Sequence, residues 1–471
     1  MATVAETDVT VIRDPATGEE VGRVPRQGAD EAAEAIARAA DAFASWWETP
    51  AARRGALLRE AASAVLADRD ELATQLTLEQ GKPLREARLE ITRFVHTLEH
   101  YAGLAKNLRG GYVPNLDVRT HGLVVKRPLG VVVAIVPWNF PTTLLGNKLG
   151  PALVCGNVVV AKPAETTPLT TLRIAEIMRE HGLPEDVFQV VTGQGSVLGE
   201  ALVTDPRVAK VAFTGSTPVG KRVGELAARG VKRVTLELGG SDPMIVLHDA
   251  DIDGAVSAAS VGRFFNCGQA CLAVKRLYLH EAIADEFIEK LVAKAQKLRI
   301  GPGTAEGTMI GPLHSEAQRA TLEDQLESTL AHGGEVLVGG SRPDGDEYAK
   351  GWFYEPTLIL EPPHVSKVAT EEVFGPALPI WRIGSLEEGI ERANASEFGL
   401  GSSVWTRDLT AATVAAEKLE AGYTWINSNQ IIYDELPFGG FGESGIGKEH
   451  GIEALDYYQE AKAVVVKQSP R

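Results

Sequence analysis

The stretch Val131-Val132-Val133-Ala134-Ile135-Val136-Pro137-Trp138-Asn139-Phe140-Pro141 decides how the chain reads. A β-branched run ends in a turn fixed by two prolines, and a helical run, Thr143 to Leu153, follows. The alternation then continues with Val158 to Ala161, Leu169 to His181, Val187 to Val191, Val197 to Leu202, Val208 to Phe213, Val219 to Ala228 and Val234 to Leu238. Short strands alternating with amphipathic helices imply βαβ units and a parallel sheet, which binds ligands beyond the carboxyl ends of its strands.

Upstream, residues 8–24 read as a hairpin around Asp14-Pro15-Ala16-Thr17-Gly18. Asp30 can cap a helix through Trp47, a second helix carries Leu57, Leu58, Ala61, Val65 and Leu66, and a third runs from about Ile91 to Leu108. Gly110 to Val125 breaks this pattern as a β excursion, with which the tail Ala463 to Lys467 can pair. Such a piece cannot bury both faces alone, so a second subunit is expected to cover it, in a homodimer or homotetramer.

Downstream of Gly240 a second α/β unit begins. Met244 to Leu247 is a strand, Ile252 to Phe265 a helix, and Leu277 to Leu279, Val336 to Val338, Thr357 to Leu360 and Ala377 to Ile380 are further strands. Gly339 to Asp346 reads as a surface loop. The expected fold class is α/β with two parallel-sheet domains and a small β excursion. Residues 1–109 and 129–238 form the first domain, 239–454 the second, and 110–128 with 455–471 the excursion.

Composition agrees with this organisation. A chain of 471 residues exceeds one core. The formal charge of −16 disfavours nucleic acid and anionic membrane as partners. Three cysteines make no disulfide framework, the acidic start from Met1 to Asp8 is no signal peptide, and no apolar run approaches the ~20 residues of a membrane span. A cytoplasmic protein is expected.

Several strand ends carry chemistry. In Phe264-Phe265-Asn266-Cys267-Gly268-Gln269-Ala270-Cys271-Leu272-Ala273, Cys271 lies in a turn between a helix and a strand, where a thiol is either an inert filler or a nucleophile open to substrate. Asn139 either belongs to a rigid aromatic turn or donates its amide to an oxyanion. In Lys162-Pro163-Ala164-Glu165, the charged pair is a surface ion pair or a ribose site whose carboxylate repels a 2′-phosphate. Phe213-Thr214-Gly215-Ser216-Thr217-Pro218-Val219-Gly220 is a plain βα turn or a pyrophosphate cradle. Glu237, before Leu238-Gly239-Gly240, is a partner for a lysine or a general base of raised pKa. Cys267 with Cys271 is a poor metal pattern, which leaves an oxidative bond between them open.

With Glu371-Glu372-Val373-Phe374-Gly375-Pro376 and Pro437-Phe438-Gly439-Gly440, these motifs resemble the aldehyde dehydrogenase superfamily in order and spacing from end to end. The resemblance implies a Rossmann-like NAD-binding domain and a catalytic domain. It makes Cys271 the nucleophile, Asn139 and the Cys271 N–H the oxyanion hole, and Glu237 the base that hydrolyses a thioester. It gives the cofactor Ile135, Pro137, Trp138, Lys162, Glu165, Gly195, Phe213, Thr214, Gly215, Ser216, Val219, Leu238, Gly239, Glu372 and Phe374. NAD is favoured over NADP by Glu165, and no metal is implied.

The aldehyde would meet Leu144, Asn147, Phe265, Ala270, Leu272, Ile432 and Phe438. Succinate-semialdehyde enzymes of the superfamily place arginines where this chain has Phe265 and Asn147, so an uncharged apolar or aromatic aldehyde is the expectation. A semialdehyde dehydrogenase, a CoA-acylating relative (these lack the base that Glu237 supplies) and a non-catalytic protein of the lens-crystallin kind are the alternatives.

Overall fold

A computed structural model describes residues 9–469, so the stretch read from Met1 to Asp8 lies outside it. The molecule is built on two mainly parallel sheets. The first has six strands in the order Gly445–Ile446, Arg233–Glu237, Val208–Thr214, Val131–Ile135, Val158–Lys162, Phe188–Val190. All are parallel except Gly445–Ile446, which comes from the far end of the chain to pair with Arg233–Glu237. The chain runs outward from Val131–Ile135 and then returns to its other side as Val208–Thr214. That reversal opens a crevice at the carboxyl ends of these two strands, the usual ligand position in such sheets.

The second sheet has seven strands, with Asp242–Val246 between Val274–His280 and Gly401–Trp405. Here Cys271 and Glu372 precede the strands Val274–His280 and Ala377–Ile383, so they lie at amino ends. The carboxyl edge of the first sheet and the amino edge of the second therefore carry the distinctive residues. The third sheet is antiparallel: Gln459–Lys467 pairs with Thr120–Pro128, which pairs with Gly111–Asp117. Gly111–Asp117 is exposed along its whole length. Among the described residues no helix is long and apolar enough to cross a membrane.

Several helices depart from their sequence boundaries for physical reasons. Asp30 lies inside the first turn of Ala29–Glu48 rather than capping it; Gly28 precedes the helix, and its N–H donates to Glu31 at 2.8 Å. The helix expected from Ile91 begins at Leu84, and Arg69–Gln80 is a further helix. Pro141–Cys155 and Leu169–Glu180 have no local side-chain cap. Their first N–H groups go instead to carboxylates from the N-terminal helices: Thr142 N–H to Glu90 at 2.9 Å, and Leu169 N–H to Glu79 at 2.7 Å. A carboxylate at a helix start satisfies orphan donors and suits the dipole there.

Candidate active site

The turn that carries Cys271 leaves the helix Ile252–Phe264 through three left-handed residues, Asn266 (φ 51°), Cys267 (φ 55°) and Gly268 (φ 73°). Non-glycine residues there cost about 1–3 kcal/mol each and persist only when the surroundings hold them. Glu86 accepts the Asn266 N–H at 2.8 Å. The buried Arg263 donates to the carbonyls of Gly268 (2.6 Å), Gly375 (2.5 Å) and Val373 (3.2 Å). Burial without a carboxylate partner draws its pKa down to about 9. Gly268 passes so close to its neighbours that a Cβ on it would stand 2.2 Å from the Gly375 oxygen. Gly268→Ala will therefore lower the thermal midpoint and reduce kcat at least about tenfold, since strain and clash act together on the turn. Unchanged kcat and melting would show that the turn is not built as described.

Cys271 emerges beyond this turn, partly exposed, while Cys267 is buried in the core of the second sheet. Burial pushes the Cys271 thiol up to about 12; Lys275 opposes this, and Asp242, Glu372 and Glu237 reinforce it. Leu272 and Ile432 pack beside Cys271 against Leu400, Tyr423, Trp425 and Phe438. Phe265 lies parallel to Phe140 at 6.1 Å, and Ala270 is partly exposed. Leu144 is 8% exposed and packs in the core of the first sheet and its helices. Tyr423 and Trp425, which alternate on one strand, were not anticipated in this cluster.

Asn139 meets the cysteine turn directly. Its Nδ2 donates to Gln269 O at 3.1 Å, and its carbonyl accepts from Asn266 Nδ2 (3.0 Å) and Lys82 Nζ (2.6 Å). Lys82 also pairs with Glu90 and lies 4.0 Å over the Phe140 ring. Lys82, Glu86 and Glu90 thus form one buried row at four-residue spacing, beneath both Asn139 and the cysteine turn. Sequence reasoning missed this row. Charges at four-residue spacing among apolar neighbours were its only signal.

Glu237 ends its strand 3% exposed, and neither carboxylate oxygen has a hydrogen-bond partner among the described residues. Burial raises its pKa well above the ordinary range; Glu449 adds to this, and Lys148 and Lys448 oppose it. A Cβ on Gly439 would stand 2.6 Å from Glu237 Oε1, so this glycine lets the Phe438–Gly440 segment close over the carboxyl. The same segment is tied to Glu449 by paired backbone bonds of 2.6 and 2.7 Å.

Glu449 accepts from Lys148 Nζ (2.6 Å) and from Asn147 Nδ2 (3.1 Å), and Lys148 Nζ donates onward to Thr214 Oγ1 (2.6 Å). Asn147, expected at the aldehyde, is instead 1% exposed and spends its amide here. Its helix is buried almost all round, and the Glu449 carboxylate gives the Asn147 amide its hydrogen-bond partner. Lys148 and Glu449 were not read from the sequence.

The remaining predicted residues line the edge of the first sheet. Ile135, Pro137 and Trp138 follow its central strand, and Lys162 and Glu165 the next; Gly195 opens the helix Gly195–Thr204. Phe213, Thr214, Gly215 and Ser216 lead into Thr217–Arg229, which has no side-chain cap and leaves Val219 exposed. A Cβ on Gly220 would stand 2.2 Å from Leu238 Cδ2, so that helix start can press close to the neighbouring strand. Burial lowers the Lys162 pKa while Glu165 opposes, and Lys162 Nζ donates to the Pro163 carbonyl at 3.0 Å.

Trp138 stacks on His314 at 4.5 Å and meets Phe374 edge-on at 5.6 Å. Glu372 accepts the Gly240 N–H at 3.1 Å, and a Cβ on Gly239 would meet its other oxygen at 2.6 Å. An uncapped helix start, an ammonium and the Glu165 carboxylate at the carboxyl edge of the first sheet, with the Glu372 carboxylate from the amino edge of the second, have the donors and acceptors for a pyrophosphate and ribose hydroxyls. Those residues fit a dinucleotide.

The family described as "Aldehyde dehydrogenase family" matches residues 3–464. The chain is 39% identical over 455 residues to the NADP(+) succinate-semialdehyde dehydrogenase GabD of Escherichia coli, covering 97% of this chain and 94% of that one. It is likewise 39% identical over 472 residues to phenylacetaldehyde dehydrogenase of Pseudomonas fluorescens, covering 98% and 93%. A crystal structure of betaine aldehyde dehydrogenase from Staphylococcus aureus in complex with NAD+ superposes with a TM-score of 0.96 at 35% identity, covering 99% and 93%.

Proposed function

This chain belongs to the aldehyde dehydrogenase family, whose members are oxidoreductases acting on aldehydes, and from that premise we propose that it oxidises an uncharged apolar or aromatic aldehyde to the carboxylic acid with Cys271 as nucleophile. Cys271 gives its thiol proton to solvent, and the thiolate sulfur bonds to the aldehyde carbon while the carbonyl π pair moves to the oxygen, which becomes an oxyanion facing the Asn139 amide and the Cys271 N–H. One N–H of that amide is used by Gln269 O, and the amide has a second. Nicotinamide, when bound, supplies the hydride acceptor that turns the thiohemiacetal into a thioester. Water then attacks the thioester carbon, Glu237 takes its proton, and the carbon–sulfur bond breaks to release acid and thiolate. Lys162, Glu165 and Glu372 would hold ribose hydroxyls, and the start of Thr217–Arg229 the pyrophosphate.

One observation carries this reading: the Asn139 amide is bonded into the turn that presents Cys271. The buried Glu237 carboxyl, without a hydrogen-bond partner among the described residues, supports it as the base. For the substrate, Phe265 and Phe140 face each other and Cys271 sits against an apolar cluster, which supports an uncharged aldehyde. Glu165 at a ribose hydroxyl would repel a 2′-phosphate, so NAD is preferred. The domain limits given above, and a homodimer or homotetramer covering Gly111–Asp117, belong to the same proposal.

The test is NADH formation across charged, short aliphatic, long aliphatic and aromatic aldehydes. We expect kcat/KM for hexanal or benzaldehyde to exceed that for succinate semialdehyde at least about tenfold, and NAD to exceed NADP similarly. A succinate-semialdehyde preference would overturn the substrate assignment, and equal use of the two nucleotides the role of Glu165.

A further inference from the structure

Lys275 is fully buried at the second position of the strand Val274–His280, and its three hydrogen-bond acceptors come from segments that meet at the site, with the Phe374 ring 5.7 Å from its ammonium. Its ammonium donates to Cys271 O (2.7 Å), Gly240 O (2.7 Å) and Glu372 Oε1 (2.6 Å). Three acceptors use all three donors of a lysine. The same Glu372 oxygen accepts the Gly240 N–H at 3.1 Å, which closes a ring of contacts. Gly240 follows Glu237 by three residues, and a Cβ on it would stand 3.0 Å from Cys271 O, so the absence of a side chain there eases the close approach of the two backbones.

We propose that Lys275 is a positioning residue: it pins the Cys271 carbonyl to the segment that carries Glu237, and the strength of that hold depends on the carboxylate of Glu372. The proposal rests on the reading of Cys271 as nucleophile and Glu237 as base. Lys275 fixes sulfur and carboxyl relative to each other without touching either. Among the described residues its ammonium favours the Cys271 thiolate, and Asp242, Glu372 and Glu237 oppose it. Glu372 partly cancels the ammonium. A ligand hydroxyl that takes up Glu372 would free Lys275 to act more fully on Cys271.

The test is alkylation of Cys271 by iodoacetamide in the nucleotide-free protein between about pH 6 and pH 10, read on the Cys271 peptide by mass spectrometry. Lys275→Met is expected to slow labelling at neutral pH at least about tenfold, with the pH profile displaced upward, because one unit of thiol pKa is tenfold in thiolate. Lys275→Arg is expected to restore most of the rate. Glu372→Gln, which keeps the lysine, is expected to speed labelling at least about threefold. A Lys275→Met protein that is folded and labels like the native one overturns the proposal. Glu372→Gln labelling unchanged or slowed also overturns it, and this arm decides the matter alone if Lys275→Met fails to fold. Neither arm contains aldehyde or nucleotide. Failure of the functional reading appears separately, as absent NADH formation by the native protein.

Discussion

Replacing Cys271 by alanine will remove aldehyde-dependent NADH formation by about four orders of magnitude or more, while the protein melts within about one degree of the native one. No other thiol can stand in. Burial raises the Cys155 and Cys267 thiols above their ordinary range, and both lie in cores. The turn itself is held by Glu86, Arg263 and Lys275 through backbone atoms, so deleting a sulfur from a partly exposed side chain leaves these bonds intact. Residual turnover within about tenfold of native would exclude Cys271 as the nucleophile.

Glu237→Gln will separate the two halves of the reaction. The thioester should still form, giving a burst of NADH equal to the enzyme present, and hydrolysis should then fall by about 10²–10⁴-fold. Acyl-enzyme at the mass of protein plus acyl group will accumulate, and steady-state turnover matching the native enzyme would remove Glu237 from the mechanism. The pH dependence follows from the raised pKa of this carboxyl. The base form of the carboxyl grows as pH rises through that raised pKa. Native kcat therefore climbs with pH through the raised pKa, and the glutamine variant lacks that limb.

The site was legible where chemistry is local. Pro137 to Pro141, the Glu237-to-Gly240 stretch and the cysteine turn each carry their turn residues and reactive group within a few positions, so sequence alone placed them at strand ends. It could not show that the second sheet presents its amino rather than its carboxyl edge, because strand order depends on pairings between distant segments. Lys82, Glu86 and Glu90 look like an ordinary charged helix face until Asn139, Asn266 and Thr142 arrive to use them. Glu449 is likewise silent until the pairing of Phe438 with Glu449 folds it beside Lys148. Asn147 reads from the sequence as an aldehyde-facing residue, while its amide donates to Glu449, a partner that comes from the far end of the chain.

The small antiparallel sheet also bears on how the protein is made. Gln459–Lys467 supplies the partner of Thr120–Pro128 along its whole length, and Asn157 adds a bond from its amide to the Tyr458 carbonyl at 2.9 Å. During translation the earlier strand leaves the ribosome long before its mate, after which both large sheets are still to be synthesised. The nascent chain therefore carries an open hydrogen-bonding edge beside Leu123, Val124 and Val125 for most of its synthesis, a state prone to mispairing between chains. Premature stop codons before Gln459 would make that exposure permanent, and their products should depend on chaperones to stay in solution.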